Sequence, residues 1–280
     1  MRVVVAADDF GGSPEVNAAI LTAHRQGVLT SASLMVAGDA VDEAVSMARD
    51  MPQLAVGLHI VVVDGPATLA PHQIPHLVRS NGHFPSDPLP VGLRYAFSRA
   101  ARQELAAELH AQFERFAATG LPLAHVDGHH HMHLHPAVFD LLLPLAEAYG
   151  ARGVRLPRDD LRLALAYSRE RAGTKVLSAL VFGLLHRRCE RKLRGRSLIV
   201  ADRVYGLMQT GQMHEAYVLE LIRQLQVPAA EIYFHPSTAS RGGTLGPNPG
   251  DLRTLLSPAV RQALAERDIS LATYPALGHE

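Results

Sequence analysis

The 280-residue chain has no tryptophan, one cysteine and only 5% aromatic residues. A lone cysteine, Cys189, cannot close an internal disulfide, so this is not a small secreted scaffold held by cross-links. Charge of either sign is not in excess: 27 Lys and Arg face 27 Asp and Glu, a balance that does not suggest a nucleic-acid partner. No window approaches the roughly 18 consecutive apolar residues of a spanning helix, which excludes membrane integration but not peripheral docking. The first residues run directly into a strand pattern, without the basic and apolar regions of a secretory signal. With the single cysteine, this leads to the expectation of a cytoplasmic protein. No Ser/Gly-rich or Pro-rich linker divides the chain, and its length suits one α/β barrel, so one domain over 1–280 is expected.

What the chain has in excess is histidine, 16 in all, and six of these fall in HVDGHHHMHLHP at 125–136. The run lies mid-chain between apolar segments, so it is not a purification tag. Such a cluster suits a metal site, a proton relay or neither, and its surroundings have to decide. RVVVAA (2–7) is a short apolar run that ends at Asp8-Asp9, a buried strand by length and composition. Ser13-Pro14-Glu15 then reads as a helix N-terminus, with Val16, Ala19, Ile20 and Ala23 as the apolar stripe and Gly27 as the stop.

The unit repeats. SASLMVA (31–37) precedes a helix through Met47, and LAVGLHIVV (54–62) precedes a long Pro- and Gly-rich loop. A helix from about Arg102 to Ala117, LAHVDGHH, a helix over 136–149 and GVRLP follow. LIVADRV, a helix near 213–225, EIYFHPS, a helix near 256–266 and ISLATY complete the series. Strands alternating with crossover helices predict a TIM-like (β/α) barrel, irregular, with seven or eight strands. The stretch 160–196 exceeds what the barrel needs and reads as a helical insertion.

On this scheme Asp8 and Asp9 end the first strand, His59 the third, His129 the fourth, Arg155 the fifth and His235 the seventh. Taken singly, an Asp pair after a strand is most often a cap or turn, and a histidine at a strand end is most often structural. Their arrival at one barrel face, where barrel enzymes build active sites, raises the expectation of a shared pocket. Period-two alternation places His125, Asp127, His129 and His131 on one side and Val126, His130 and Met132 on the other. One direct ligand, with one or two further contacts, is therefore expected from the run. His133 and His135 are expected to cap or line the loop before the next helix.

The motifs ADDFG (7–11), GVLTSASLMVAG (27–38), VGLH (56–59), GLPLAHVDGHHHMHLHP (120–136), EIYFHP (231–236) and LLSPAVRQAL (255–264) resemble the YdjC/ChbG-like carbohydrate deacetylase family. Within it the chain is similar to the hopanoid-biosynthesis-associated (HpnK-type) subgroup. It departs in Asp127-Gly128-His129, where that subgroup often has Asn-Ala-His and the sugar-oligomer deacetylases are closer. The resemblance implies a metal-dependent N-deacetylase with one divalent ion held by Asp9, His59 and His129, and Asp8 as general base. One carboxylate and two imidazoles suit Zn²⁺ and also admit Mg²⁺, Mn²⁺ or Co²⁺. In the mechanism expected, His235 protonates the departing nitrogen and Arg155 orients Asp8 or keeps it anionic. His131 is the alternative to His129 as ligand.

The expected substrate is an N-acetylated sugar or glycolipid, first of all an N-acetylglucosaminyl hopanoid. A soluble chito-oligosaccharide is the same-chemistry rival. A barrel metallophosphoesterase and a non-catalytic glycan-binding barrel are the alternatives of other classes. In 174–196, Val176, Leu177, Leu180, Val181, Leu184 and Leu185 form an apolar surface at helical spacing, followed by Arg187, Arg188, Arg191, Lys192, Arg194 and Arg196. This pattern fits a helical arm meeting a membrane peripherally at its inner face. A homodimer is the other partner expectation, and no nucleic acid is expected.

Overall fold

In the computed structural model, which describes residues 1–239 and 248–278, the longest strand is β1 (Arg2–Phe10). Val3 to Ala7 are buried on both faces, as a central parallel strand requires. Helix α1 (Pro14–Gln26) starts as its sequence dictates, with the Ser13 side chain accepting from Val16 N–H and Pro14 in the first turn. There follow β2 (Ser31–Leu34), α2 (Val41–Arg49), β3 (Ala55–Ile60), α3 (Pro88–Phe97), α4 (Arg99–Ala118) and β4 (His125–Gly128). A 3-10 turn, His129–Leu134, leads into α5 (Pro136–Ala148) and β5 (Gly153–Val154). Helices α6 (Leu161–Tyr167) and α7 (Ala172–Leu193) come next. The chain closes with β6 (Arg203–Tyr205), α8 (Glu215–Gln224), β7 (Ala229–Phe234), α9 (Pro249–Leu255), α10 (Pro258–Glu266), β8 (Ser270–Ala272) and α11 (Tyr274–Leu277).

Every ladder is parallel, in the order β5-β4-β3-β2-β1-β7-β6. The seam between the outer members is narrow. Ile199 bridges Gly153, with Val154 N–H donating to Ile199 O and Ile199 N–H to Arg152 O, each at 2.9 Å. The expected LIVADRV strand is thus split: Ile199 serves the seam and Arg203–Tyr205 pairs with β7. ISLATY is not an eighth stave. It pairs with Arg2–Val4 while β2 pairs with Ala6–Phe10, so β8 and β2 share one edge of β1. Helix α3 occupies part of the stretch read as loop, capped by Asp87 with Pro88 behind it. Among the described residues no helix is long and apolar enough to cross a membrane.

The strands' period of two divides the interior. Val3, Val5 and Ala7 of β1, Val56, Leu58 and Ile60 of β3, and Ile232 and Phe234 of β7 face the helices in the large apolar cluster. Val4, Ala6, Val204, Tyr233 and Tyr274 form a smaller one inside the ring. Continuing the inner positions toward the C-terminal ends of the strands gives Asp8, Ser33, His59, Asp127, Arg155 and His235, so this barrel is apolar at its base and polar above.

Candidate active site

Neighbouring residues of a regular strand point to opposite faces, yet Asp8 and Asp9 both serve one pocket. The register of β1 against β2 shifts between Ala7 and Phe10, and Asp9 sits in the left-handed region at φ 63°. This bulge turns the second carboxylate back beside the first. A left-handed conformation costs a non-glycine residue roughly 1–2 kcal/mol, strain of the kind concentrated at functional sites.

Asp9 Oδ1 lies 3.0 Å from His129 Nδ1 and 3.4 Å from His59 Nε2. One ligand atom from each of Asp9, His59 and His129 falls within 4.8 Å of the other two. His59 donates through Nδ1 to Asp127 Oδ1 at 2.7 Å, since a carboxylate offers only acceptors. That leaves the Nε2 lone pair facing the lone pairs of Asp9, and both atoms are buried without a hydrogen-bond partner. Two acceptors so placed require positive charge between them. The same demand appears in their proton affinities: burial opposes charge on His59, but Asp127 and Asp9 outweigh it and push the imidazole up to about 10. Burial likewise opposes the Asp9 anion, yet His129 and His59 hold its carboxyl well below the usual range. The donor set, one carboxylate and two imidazoles, fits a divalent cation such as Zn²⁺. Among the described residues there are two other groupings, Asp64-His129-His130 at the rim and Asp8-His59-Asp127, but Arg155 already engages both carboxylates of the latter.

Arg155 follows β5 and is fully buried. It donates to both oxygens of Asp8, at 2.7 and 2.8 Å, and reaches Asp127 Oδ2 at 2.7 Å and Glu231 Oε1 at 2.7–2.8 Å. Its guanidinium also lies 4.6 Å from the Tyr233 ring centroid. Such a fork, fixed on three sides, orients Asp8 rigidly. Arg155 is therefore an interior hub and not a surface arginine. Burial works against the Asp127 anion, and Arg155 and His59 overcome this to hold it well below the ordinary range. For Glu231 burial prevails and pushes the carboxyl up despite Arg155.

The histidine run does not keep strand alternation. β4 ends at Gly128, and His130 and His131 take left-handed conformations at φ 51° and 54°, so the expected common side of His125, Asp127, His129 and His131 holds only for the first two. His129 swings to Asp9, while His130 reaches Asp64 at 3.1 Å. His131 Nε2 pairs with the Tyr233 hydroxyl at 2.8 Å, outside the Asp9 cluster. His133 bonds the Arg155 carbonyl at 2.9 Å, and His135 caps α5 by accepting from Ala137 N–H. His125 is fully buried, bonded to Ser33 and stacked on Tyr274 with centroids 5.0 Å apart. A side chain at Gly57 would collide with its ring, since a Cβ there would stand 2.5 Å away.

Asp8, His59, His129 and His235 line one cavity of about 810 Å³, together with Leu89 of α3, Leu177 and Phe182 of α7, and Met208 to Thr210. His235, just past β7, places Nε2 3.8 Å from Asp8 Oδ2, beyond hydrogen-bond contact, and its backbone N–H is fixed by Asp251. All six candidates thus converge. The sequence reading did not assign roles to Ser33, Asp127, Glu231, Tyr233 or Tyr274, which brace them from below. A buried strand carrying Glu231 inside EIYF was the signal available for one of these.

The pattern described for YdjC-like proteins matches residues 2–266. A carbohydrate deacetylase from Geobacillus stearothermophilus is 34% identical over 273 residues, covering 97% of this chain and 96% of that protein. A chitooligosaccharide deacetylase from Citrobacter koseri is 29% identical over 290 residues, 97% of each. An Enterococcus faecalis crystal structure, provisionally named for cellobiose-phosphate cleavage, matches with a TM-score of 0.74 over 99% of both chains at 23% identity, a likeness of fold. A family match spanning nearly the whole barrel, including every strand end that builds the pocket, places this chain in the YdjC-like family.

Proposed function

We propose that this chain, acting as a single barrel domain, is a metal-dependent N-deacetylase that hydrolyses the acetamide of an N-acetylated amino sugar. The observation that carries the reading is the pair of opposed buried acceptors, Asp9 Oδ1 and His59 Nε2, beside Asp8 and His235 in one cavity. The names of the relatives, carbohydrate deacetylase and chitooligosaccharide deacetylase, support it. Asp9, His59 and His129 would hold one divalent ion, with Zn²⁺, Mg²⁺, Mn²⁺ and Co²⁺ all compatible with the donors. When bound, such an ion supplies Lewis acidity for the amide carbonyl and lowers the pKa of water.

The chain's own groups divide the proton transfers. Asp8, held by Arg155, takes a proton from the attacking water. His235 gives one to the nitrogen as the C–N bond breaks, so that acetate and a free amine leave. Arg155 touches no reacting atom and acts through Asp8. The proposed substrate is an N-acetylglucosaminyl hopanoid lipid, a reading supported by the motifs shared with the hopanoid-associated subgroup and by Leu177 and Phe182 on the cavity wall. On this reading the chain works in the cytoplasm, with 174–196 toward the inner face of the membrane. A second reading, a soluble chito-oligosaccharide substrate, is favoured by Asp127-Gly128-His129 and by the Citrobacter relative. Mass spectrometry for loss of an acetyl group from the glycolipid and from N-acetylated chitobiose, with metal-loaded protein, tests both. Turnover of neither would remove the deacetylase reading, and turnover of chitobiose alone would remove the lipid.

A further inference from the structure

The large apolar side chains left in solvent are not scattered. Of the eleven among the described residues, nine lie on α3, α6 and α7. On α3, Leu89, Leu93 and Phe97 are 71%, 51% and 82% exposed at a spacing of four, which puts them on one face. On α7, Leu177, Leu180 and Leu184 are 62%, 62% and 68% exposed, with Val176 and Val181 beside them, again on one face. Leu89 and Leu177 both line the cavity that holds Asp8, His59, His129 and His235. The two stripes therefore meet at the mouth of the site. A soluble surface rarely concentrates exposed apolar groups in this way without a partner.

Charge selects the partner. Residues 171–196 contain eight Lys or Arg and one glutamate, in a chain whose charges balance overall. The outward stripe of α7 continues past Leu184 into Arg187 and Arg191. Arg188 and Lys192 are engaged by Asp140 and Arg196 by Glu147, but Arg187, Arg191 and Arg194 have no carboxylate partner among the described residues. Two copies of the chain apposed through this face would bring two strongly cationic segments together. An anionic bilayer surface accepts both features, with apolar side chains at the acyl boundary and arginines among the headgroups.

We propose that α3 and α7 together form a docking surface for anionic phospholipid that seats the mouth of the active-site cavity on the membrane. This takes its setting from the lipid-linked reading above, but the contact does not depend on turnover. Flotation through a density gradient with phosphatidylcholine vesicles, and with vesicles that also contain phosphatidylglycerol, tests it. The wild type should float with the anionic vesicles and much less with the neutral ones. Replacing Arg187→Gln together with Arg191→Gln should weaken that binding by roughly thirtyfold. Replacing Phe97→Ser, Leu180→Ser and Leu184→Ser, none of which lines the cavity, should abolish it while preserving the melting temperature and hydrolysis of N-acetylated chitobiose. Wild-type protein that stays out of the vesicle fraction overturns the proposal, as does a triple variant that floats unchanged. Self-association by light scattering that the triple variant loses, without vesicle binding, reassigns the face to contact between copies. Flotation without any acetate release keeps the docking surface and removes the deacetylase reading.

Discussion

Asp127→Asn separates the two tasks that one buried carboxylate performs. Asp127 accepts from His59 Nδ1 at 2.7 Å, Ser33 Oγ at 2.8 Å and Arg155 Nη1 at 2.7 Å, with no solvent contact. Asparagine keeps the shape but exchanges one acceptor oxygen for a donor, which must then face a donor of either His59 or Arg155. Removing one partner of a buried charge pair costs about 3–5 kcal/mol. Asp8 and Glu231 still hold Arg155, so the lower end of about 3 kcal/mol is expected, a fall in Tm on the order of 10 °C. The second effect is on metal affinity, because His59 loses the group that fixes its ring and its Nδ1 proton. Loss of such an orienting partner typically weakens binding by about 10- to 100-fold. Melting in chelator isolates the first effect, and zinc titration measures the second. The Asp127 carboxyl is held well below its ordinary 3.8, so its contribution is complete above that pH and is lost as pH falls through the depressed folded value. The gap in stability between wild type and variant should therefore be full near neutrality and close in strong acid. Wild-type zinc affinity together with an unchanged Tm would refute the network.

Three further outcomes follow from the geometry. Asp9→Ala, His59→Ala and His129→Ala should each lose metal by elemental analysis while keeping the circular dichroism of the barrel, and full occupancy in His129→Ala would transfer the ligand role to His131. Asp8→Asn and His235→Ala should retain metal but lose about 10²- to 10⁴-fold in acetate release, and wild-type rates across the pH range in the latter would leave His235 without a proton-transfer role. Burial holds His125 at about 4 against an ordinary 6.5, so the folded state refuses a proton that the unfolded chain accepts, and stability present above 6.5 drains away as pH falls toward 4. That group alone accounts for roughly 3 kcal/mol over the window, and urea denaturation of His125→Gln should show a shallower pH slope than wild type, whereas parallel slopes would contradict the assignment.

The strand ends were legible because short apolar runs such as RVVVAA stop at polar residues and the 3.6-residue stripe of α1 marks the helix that follows. Arg155 and His235 lie just past their strands and His59 one residue before the end of β3, while β1 runs on from Asp8 through Phe10. His129 was found through its motif and not through alternation, since nothing in the letters HHH announces that two non-glycine residues will take positive φ. Helix α3 was hidden because its proline-rich start reads as loop, although Asp87-Pro88 is a helix entry of the same kind as Ser13-Pro14. Ile199 was read inside one LIVADRV strand, and only the split was hidden: a seam made by two hydrogen bonds needs no strand-length pattern. Glu231, Tyr233 and Tyr274 contact the site from three different registers, and only the closed ring brings them under Arg155.

That ring also bears on why a divalent cation suits the site better than a monovalent one. Asp8, Asp127 and Glu231 surround a single guanidinium, and unpaired charge in so buried a place is costly. Burial pushes the Glu231 carboxyl up, while Arg155 and Tyr274 donate to its two oxygens. Arg155 offers its one positive charge to Asp8, Asp127 and Glu231, while Asp9 faces His59 and His129, side chains able to serve as neutral ligands. A divalent ion between Asp9 and His59 would bring two positive charges to that gap, whereas a proton on His59 brings one. The raised proton affinity of His59 and the fit to a divalent ion are thus two expressions of one imbalance. Zinc binding at neutral pH should accordingly displace a proton from His59, measurable as a dependence of the calorimetric heat on buffer ionisation enthalpy. Heats independent of the buffer would break this link.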